Sequence, residues 1–160
     1  MKKAVLLMIV IFLGAVNLLA AAGDLDPTFD SDGVVFTAVS PSSDNASAVV
    51  IDSAGKIVVA GTTSNGLVSD FAVARYNTDG SLDTSFDSDG IVTTDFNSTN
   101  DLGYGVAIDS QNRIIVAGRS GFNFAVARYN PDGSLDTSFD GDGKVTTSAS
   151  VSGGFVVCEQ

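Results

Sequence analysis

Aspartates at alternate positions before a glycine are the residues of this chain whose type and spacing could do chemistry. The run DSDG stands at residues 87–90, and the run DGDG stands at residues 140–143. Calcium takes about six to eight oxygen ligands, commonly from aspartates at alternate positions and from carbonyl groups. The pattern predicts a weak calcium site, whose candidate ligands are Asp79, Asp83, Asp87, Asp89, Asp132, Asp136, Asp140 and Asp142.

Turn formation is the competing interpretation of the same aspartates. A short carboxylate accepts hydrogen bonds from nearby backbone amides, and the glycine that follows can adopt a positive φ. The calcium pattern is also incomplete, because no third alternating aspartate precedes the glycine and no bidentate glutamate follows it. We therefore favour turns over calcium, and we expect no other cofactor.

The composition excludes several kinds of site. The chain has no histidine, which excludes a Ser-His-Asp triad and imidazole metal ligands. Its single cysteine, Cys158, excludes an internal disulfide and a cysteine-based zinc site. A net charge of -11 at pH 7 argues against a nucleic-acid partner, which needs a basic surface.

Residues 1–22 have the layout of a secretory signal peptide. Lys2 and Lys3 precede an apolar run, and three alanines stand just before Gly23. An uncleaved membrane anchor is the alternative, since the apolar run is just long enough to span a bilayer. We favour cleavage, because small residues stand where a signal peptidase requires them. The chain is then secreted or held at the cell surface, with no membrane segment after cleavage.

Internal repeats predict how these residues are positioned. One motif occurs three times, at residues 25–33, 82–90 and 135–143. Residues 48–61 recur at 105–118, and residues 71–94 recur at 124–147. A period of roughly fifty residues is typical of repeat architectures such as propellers. The one difference in length falls in residues 62–70, which we expect to form a surface loop.

Each repeat unit divides into four predicted strands, rich in Val, Ile, Phe, Tyr and Thr. In the first unit they are residues 34–39, 47–52, 56–62 and 71–77. The tight turn between the second and third strands has Gly55 in the first copy and Asn112 at the equivalent position of the second. Both residues are predicted to have a positive φ. The third strand is apolar on both faces, which favours stacked sheets. The predicted fold is all-β, with β-propeller-type blades: two complete repeats and the start of a third. A β-sandwich is the alternative.

Two arginines recur beside a tyrosine in the fourth predicted strand of each unit, Arg75 and Arg128. One interpretation is ligand binding. We favour a structural role, in which each arginine reaches a carboxylate, Asp83 or Asp136. A phenylalanine also recurs in every copy of the motif and is predicted to fill the core, at Phe29, Phe86 and Phe139.

The repeated patterns IDxxGKIVVAG, FAVARYNxDGSLDxSF and DGxVTT resemble the delta-60 repeat of bacterial exported proteins. They stand at residues 51–61, 71–86 and 89–94, with counterparts at 108–118, 124–139 and 142–147. The resemblance covers nearly all of residues 24–147. It implies a β-propeller blade with no assigned biochemical function, and it supplies no catalytic residues.

The expected organisation is a signal peptide at 1–22, propeller repeats at 23–147, and an incomplete third repeat or truncated tail at 148–160. Members of the resembling family carry enough repeats to close a ring. A stack of two blades would expose apolar faces and strand edges. We therefore expect a fragment of a longer propeller, or a chain that associates with itself, so that further repeats cover the blade faces.

We expect an exported, non-catalytic module with a structural, adhesive or ligand-binding role and an unknown ligand or cell-surface partner. Active sites break repeat symmetry, whereas the polar positions that stand out here do so in both copies. Two alternatives remain. One is a calcium-stabilised surface protein, and the other is the non-catalytic part of a propeller enzyme whose active site lies in missing sequence.

Overall fold

The computed structural model describes residues 23–97 and 100–148, and in them it contains strands but no helix. Eight strands form two four-stranded antiparallel sheets in which neighbours in sequence are neighbours in space. The first sheet contains β1 (Ser43–Ile51), β2 (Ile57–Ser64), β3 (Ser69–Tyr76) and β4 (Ile91–Thr94). The second contains β5 (Asp101–Ile108), β6 (Ile114–Ser120), β7 (Asn123–Tyr129) and β8 (Lys144–Thr147). The predicted all-β fold with two four-stranded repeats is confirmed.

The predicted signal peptide, residues 1–22, and residues 149–160 of the predicted tail lie outside the described residues. Within the described part of the chain, no helix has the length and apolar character needed to cross a membrane.

The repeat starts one strand later than its sequence predicted. Residues 34–39, expected to be the first strand of a unit, form no strand. The equivalent residues of the next two copies are β4 and β8, which pair with β3 and β7 as the last strands of their sheets. A strand forms only beside a partner that completes its hydrogen bonds. Residues 34–39 follow the same motif, but no described strand pairs with them.

The predicted turns are confirmed by their backbone geometry. Gly55 has a φ of 80° and Asn112 has a φ of 62°, so both adopt the left-handed conformation that their exchange indicates. The amide of Gly133 donates to the carbonyl oxygen of Asn130 at 3.0 Å, which closes the predicted four-residue turn. The variable segment is the β2–β3 hairpin link, residues 65–68, and it shortens to residues 121–122 between β6 and β7.

The two sheets stack through different faces, as blades do. On the first sheet, the face with Val58, Phe71 and Val73 is fully buried against the second sheet. The second sheet covers it with its opposite face, which carries Val116 and Ala127. Two sheets of a symmetric sandwich would present equivalent faces to each other. When sheets stack through opposite faces, each further sheet can be added in the same way and in the same direction. This is the arrangement of a partial propeller.

Glycine permits the closest approach between the sheets. A Cβ atom on Gly103 in β5 would clash with the carbonyl oxygen of Gly61 in β2. A Cβ atom on Gly118 would lie 2.8 Å from the ring of Phe71. The amide of Gly103 also donates to Thr62 Oγ1 at 3.1 Å across the interface. Side chains at these positions would hold the two sheets apart.

One buried hydrogen bond also links the last strand of the first sheet to the second sheet. Thr94 Oγ1 and the hydroxyl of Tyr129 lie 2.7 Å apart. Burial raises the pKa of Tyr129 to about 12, although the bond to Thr94 acts in the opposite direction. The first sheet repeats this contact, since the hydroxyl of Tyr76 donates to Thr37 Oγ1 at 2.8 Å. Residues 34–39 therefore lie against the first sheet much as β4 lies against the second.

Candidate functional site

Two of the predicted calcium ligands, Asp83 and Asp136, form ion pairs instead. Asp83 Oδ2 accepts hydrogen bonds from Lys56 Nζ at 2.6 Å and from Arg75 Nε at 2.7 Å. In the second repeat, Asp136 Oδ2 accepts a hydrogen bond from Arg128 Nε at 2.7 Å. Each arginine thus reaches the carboxylate expected of it, and the structural interpretation of both arginines is confirmed.

The environment of Asp83 keeps its carboxylate ionised. Burial raises the pKa, but hydrogen bonds from Lys56 and Ser85 and the charge of Arg75 together outweigh it. The pKa of Asp83 consequently lies well below its usual value. Arg75 also donates to the carbonyl oxygen of Pro131 at 2.6 Å, in a turn of the second repeat. This ion pair therefore neutralises its own charges and also joins the two repeats.

The recurring phenylalanines are buried to different degrees. Phe86 is fully buried, with the guanidinium carbon of Arg75 at 4.7 Å from its ring centre. Phe139 has the same arginine contact, from Arg128 at 4.6 Å, yet it is only half-buried, as is Phe29. The prediction of core phenylalanines is confirmed in full for Phe86, which lies between Arg75 of the first repeat and the turn at Gly133 of the second.

Other predicted ligands lie in turns and bind backbone amides two residues ahead. Asp79 Oδ1 accepts hydrogen bonds from the amide and the hydroxyl of Ser81, at 3.0 and 2.6 Å. Asp89 Oδ1 accepts a hydrogen bond from the Ile91 amide at 2.8 Å. The second repeat makes the same bonds through Asp132 and Asp142. These contacts are the turn chemistry that the sequence favoured.

The last two predicted ligands, Asp87 and Asp140, have φ values of 48° and 51°. Aspartate tolerates this left-handed conformation better than most residues do. Over the two described ranges of the chain, no three of the eight predicted ligands bring carboxylate oxygens within 4.8 Å of one another. Calcium binding at these eight aspartates stays a prediction, while turns and ion pairs describe the contacts of six of them.

Three other aspartates, Asp70, Asp95 and Asp101, do converge, and we call them the acidic triad. Their carboxylate oxygens lie within 4.8 Å of one another. Asp70 is in β3, Asp95 follows β4, and Asp101 begins β5, so the triad lies where the first sheet leads into the second. Asp101 is 0% exposed, and its Oδ2 accepts a hydrogen bond from the Phe96 amide at 2.7 Å.

The electrostatics of the acidic triad differ from those of the ion pairs. Burial raises the pKa of Asp70, and the negative charges of Asp95 and Asp101 raise it further. Asp70 Oδ1 is buried and has no hydrogen-bond partner among the described atoms. Converging carboxylate oxygens with an unsatisfied acceptor suit a hard cation such as calcium.

The acidic triad is not among the site residues that the sequence predicts. The three residues have no metal-binding spacing, because two turns of the fold bring them together. The available signal was asymmetry between the repeats: the counterpart of Asp70 is Asn123, and the counterpart of Asp95 is Ser148. The prediction that every notable polar position recurs in both copies is therefore wrong.

Two stretches of the chain match a known family model. Residues 55–86 and 111–139 match the model described as a domain of unknown function, DUF5122, β-propeller. Comparisons with curated proteins and with solved structures give no significant match. Both matched stretches run from a β-hairpin turn through two central strands into the Asp-rich motif. Together, the match and the two four-stranded sheets identify an all-β chain built of β-propeller-type repeats.

Proposed function

We propose that the chain is an exported, non-catalytic repeat module of the delta-60 type with a structural role: its blades stack to build a larger surface. One observation carries this proposal. The ion pair of Arg75 with Asp83 recurs as the pair of Arg128 with Asp136, and in each pair the two charges neutralise each other. A catalytic group needs a polar atom left for the substrate, whereas these side chains are engaged in holding turns to sheets.

The acidic composition supports the same proposal. A net charge of -11 at pH 7 keeps an exported chain soluble and disfavours contact with anionic polymers. The Asp-rich turns place most of that charge at the ends of the blades, while the sheet faces are apolar. Such a module has negatively charged ends and apolar stacking faces.

Export is tested by expressing the full chain in a bacterium and fractionating the cells. We expect the protein outside the cytoplasm, with Gly23 as its first residue by mass spectrometry. A variant with Lys2 and Lys3 both replaced by Asp lacks the positive start, and it should accumulate inside the cell. A chain that stays in the cytoplasm with its leader intact would refute export.

Calcium stabilisation is the second candidate function, and one observation favours it. Asp70 Oδ1 is buried without a partner beside two further carboxylates. If a calcium ion binds there, about millimolar calcium should raise the Tm, because a ligand of the folded state alone stabilises that state. Asp70→Asn should abolish the rise, and Asp89→Asn, in a predicted calcium loop, should keep it. No rise in the unchanged protein would exclude this candidate.

A further inference from the structure

The interface between the two sheets is a template for contacts with another copy of this chain. On the first sheet, Phe71 is 0% exposed, because the second sheet covers it. Its counterpart on the second sheet, Phe124, is 67% exposed, and the counterpart of buried Ala60 is exposed Ala117. The outer face of the second sheet, defined by Ala117, Phe124 and Val126, is thus a copy of a face that is buried elsewhere in the same molecule.

The complementary surface lies at the other end of the chain. On the second sheet, Val116, Ala125 and Ala127 pack against the first sheet and are fully buried. Their counterparts on the first sheet are Val59, Ala72 and Ala74, which line a cleft of about 360 Å³. This cleft is the inner face of the first sheet. Each end of the molecule therefore presents one half of an interface whose two halves meet in its middle.

Residues 25–37 partly cover the inner face of the first sheet. The amide of Asp30 donates to the carbonyl oxygen of Asp79 at 2.7 Å, just as the amide of Asp87 donates to that of Asp132 at 2.7 Å. Thr37 meets Tyr76 as Thr94 meets Tyr129. The segment therefore takes the place that residues 82–94 take on the second sheet, but without the rest of a blade behind it.

We propose that two copies of this chain dock head to tail. The inner face of the first sheet of one copy packs on the outer face of the second sheet of the other copy. The copy that contributes its first sheet releases its own residues 25–37 from that inner face. Residues 135–147 of one copy then replace residues 25–37 of the other, because both carry the same motif. Residues 144–147 are held in place as β8 by pairing with β7, whereas residues 34–39 pair with no described strand. The N-terminal segment is the weaker competitor and leaves.

This docking deepens the proposed structural role and rests on it, since it names the partner of the stacking faces. The interface joins two different surfaces, so copies add in one direction until a ring closes. It also assigns a function to residues 25–37. They shield the inner face of the first sheet while no partner is present, and they set the concentration at which association begins.

Sedimentation velocity of the exported chain over a wide range of concentration tests the docking. We expect oligomers that grow with concentration. Phe124→Asp should abolish them, because it places a charge in the centre of the outer face. Phe122→Asp is the matched control, since this side chain is 96% exposed in a hairpin link beside that face, and its oligomers should persist. Both substitutions are at exposed positions, and circular dichroism checks that both variants fold.

A second pair of variants distinguishes the proposed register from unspecific sticking. Thr37 and Thr147 are equivalent residues of the repeat. Thr37→Val weakens the shielding segment and should lower the concentration needed for association. Thr147→Val removes the contact that would be made to Tyr76 of the other copy and should raise that concentration. Effects of the same sign, or oligomers unchanged by Phe124→Asp, would overturn the proposal. An exported chain that is monomeric at every concentration would also overturn it, and would leave the export of the module intact.

Discussion

Gly103→Ala tests whether the two sheets stack as closely as the structure shows. The change adds one methyl group to β5, at a point where it would meet the carbonyl oxygen of Gly61 in β2. A backbone carbonyl within a paired strand cannot rotate away as a side chain can. The added methyl group must therefore push the second sheet outward, away from the fully buried Phe71 and Val73.

The expected loss of stability combines two opposing effects. Overpacking a well-filled interface by one methyl group costs about 1–3 kcal/mol. Replacing glycine by alanine restricts the unfolded chain and returns roughly 0.5–1 kcal/mol. We expect a net loss of about 1–2 kcal/mol, which for a domain of this size lowers the Tm by roughly 3–8 °C.

Gly105→Ala is the matched control, because it changes the same strand two residues away. A Cβ atom on Gly105 meets no atom within 4 Å, so only the effect on the unfolded chain applies. Thermal unfolding followed by circular dichroism should place the Gly103→Ala variant below the parent, and the Gly105→Ala variant level with it or above it. A Gly103→Ala variant that melts no lower than its control would refute the stacking geometry.

Three further predictions concern charged and titrating groups. Arg75→Met should lower the free energy of unfolding in urea by about 2 kcal/mol, because among the described residues it leaves the buried carboxylate of Asp83 paired with Lys56 alone. Tyr129→Phe should have a lower Tm than the parent below pH 10, and this difference should shrink as the pH rises from 10 towards about 12. The raised folded-state pKa of Tyr129 stabilises the parent below pH 10, and that stabilisation is lost as the pH rises to about 12. In the presence of a chelator, Asp70→Asn should raise the Tm at pH 7 but not below about pH 4, because the folded state resists ionisation of a carboxyl whose pKa is raised. Thermal melts across the two pH ranges check the last two, and an effect that does not change with pH would contradict either of them.

Contacts made within one repeat could be predicted because the residues that make them occur at the same spacing in both repeats. Arg75 and Asp83 are eight residues apart, and the same spacing separates Arg128 from Asp136. The exchange of Gly55 for Asn112 likewise revealed a turn geometry that neither residue alone would prove. Repetition supplies an internal comparison, so local hydrogen bonding and turn conformation could be inferred with no structure.

Contacts between repeats could not be predicted in the same way. The period of two in β3 indicates two apolar faces, but it does not say which face the next sheet covers. The order of motifs along the chain also does not show where one repeat unit ends and the next begins. Residues 34–39 were therefore predicted as the first strand of a unit, whereas their counterparts β4 and β8 are the last strands of their sheets. Strand partnership depends on which backbone lies alongside, and the residue types of the strand itself do not encode it.

The sequence by itself determined the strands that recur in both sheets, the turns and the pairing of each arginine with its aspartate, because these features depend on neighbours within a few residues. Only the tertiary structure decided the stacking through opposite faces, the close approach at Gly103 and the convergence of Asp70, Asp95 and Asp101. Those features join residues of different strands and sheets. Their distances follow from how two sheets pack in space, and no spacing along the chain records that packing.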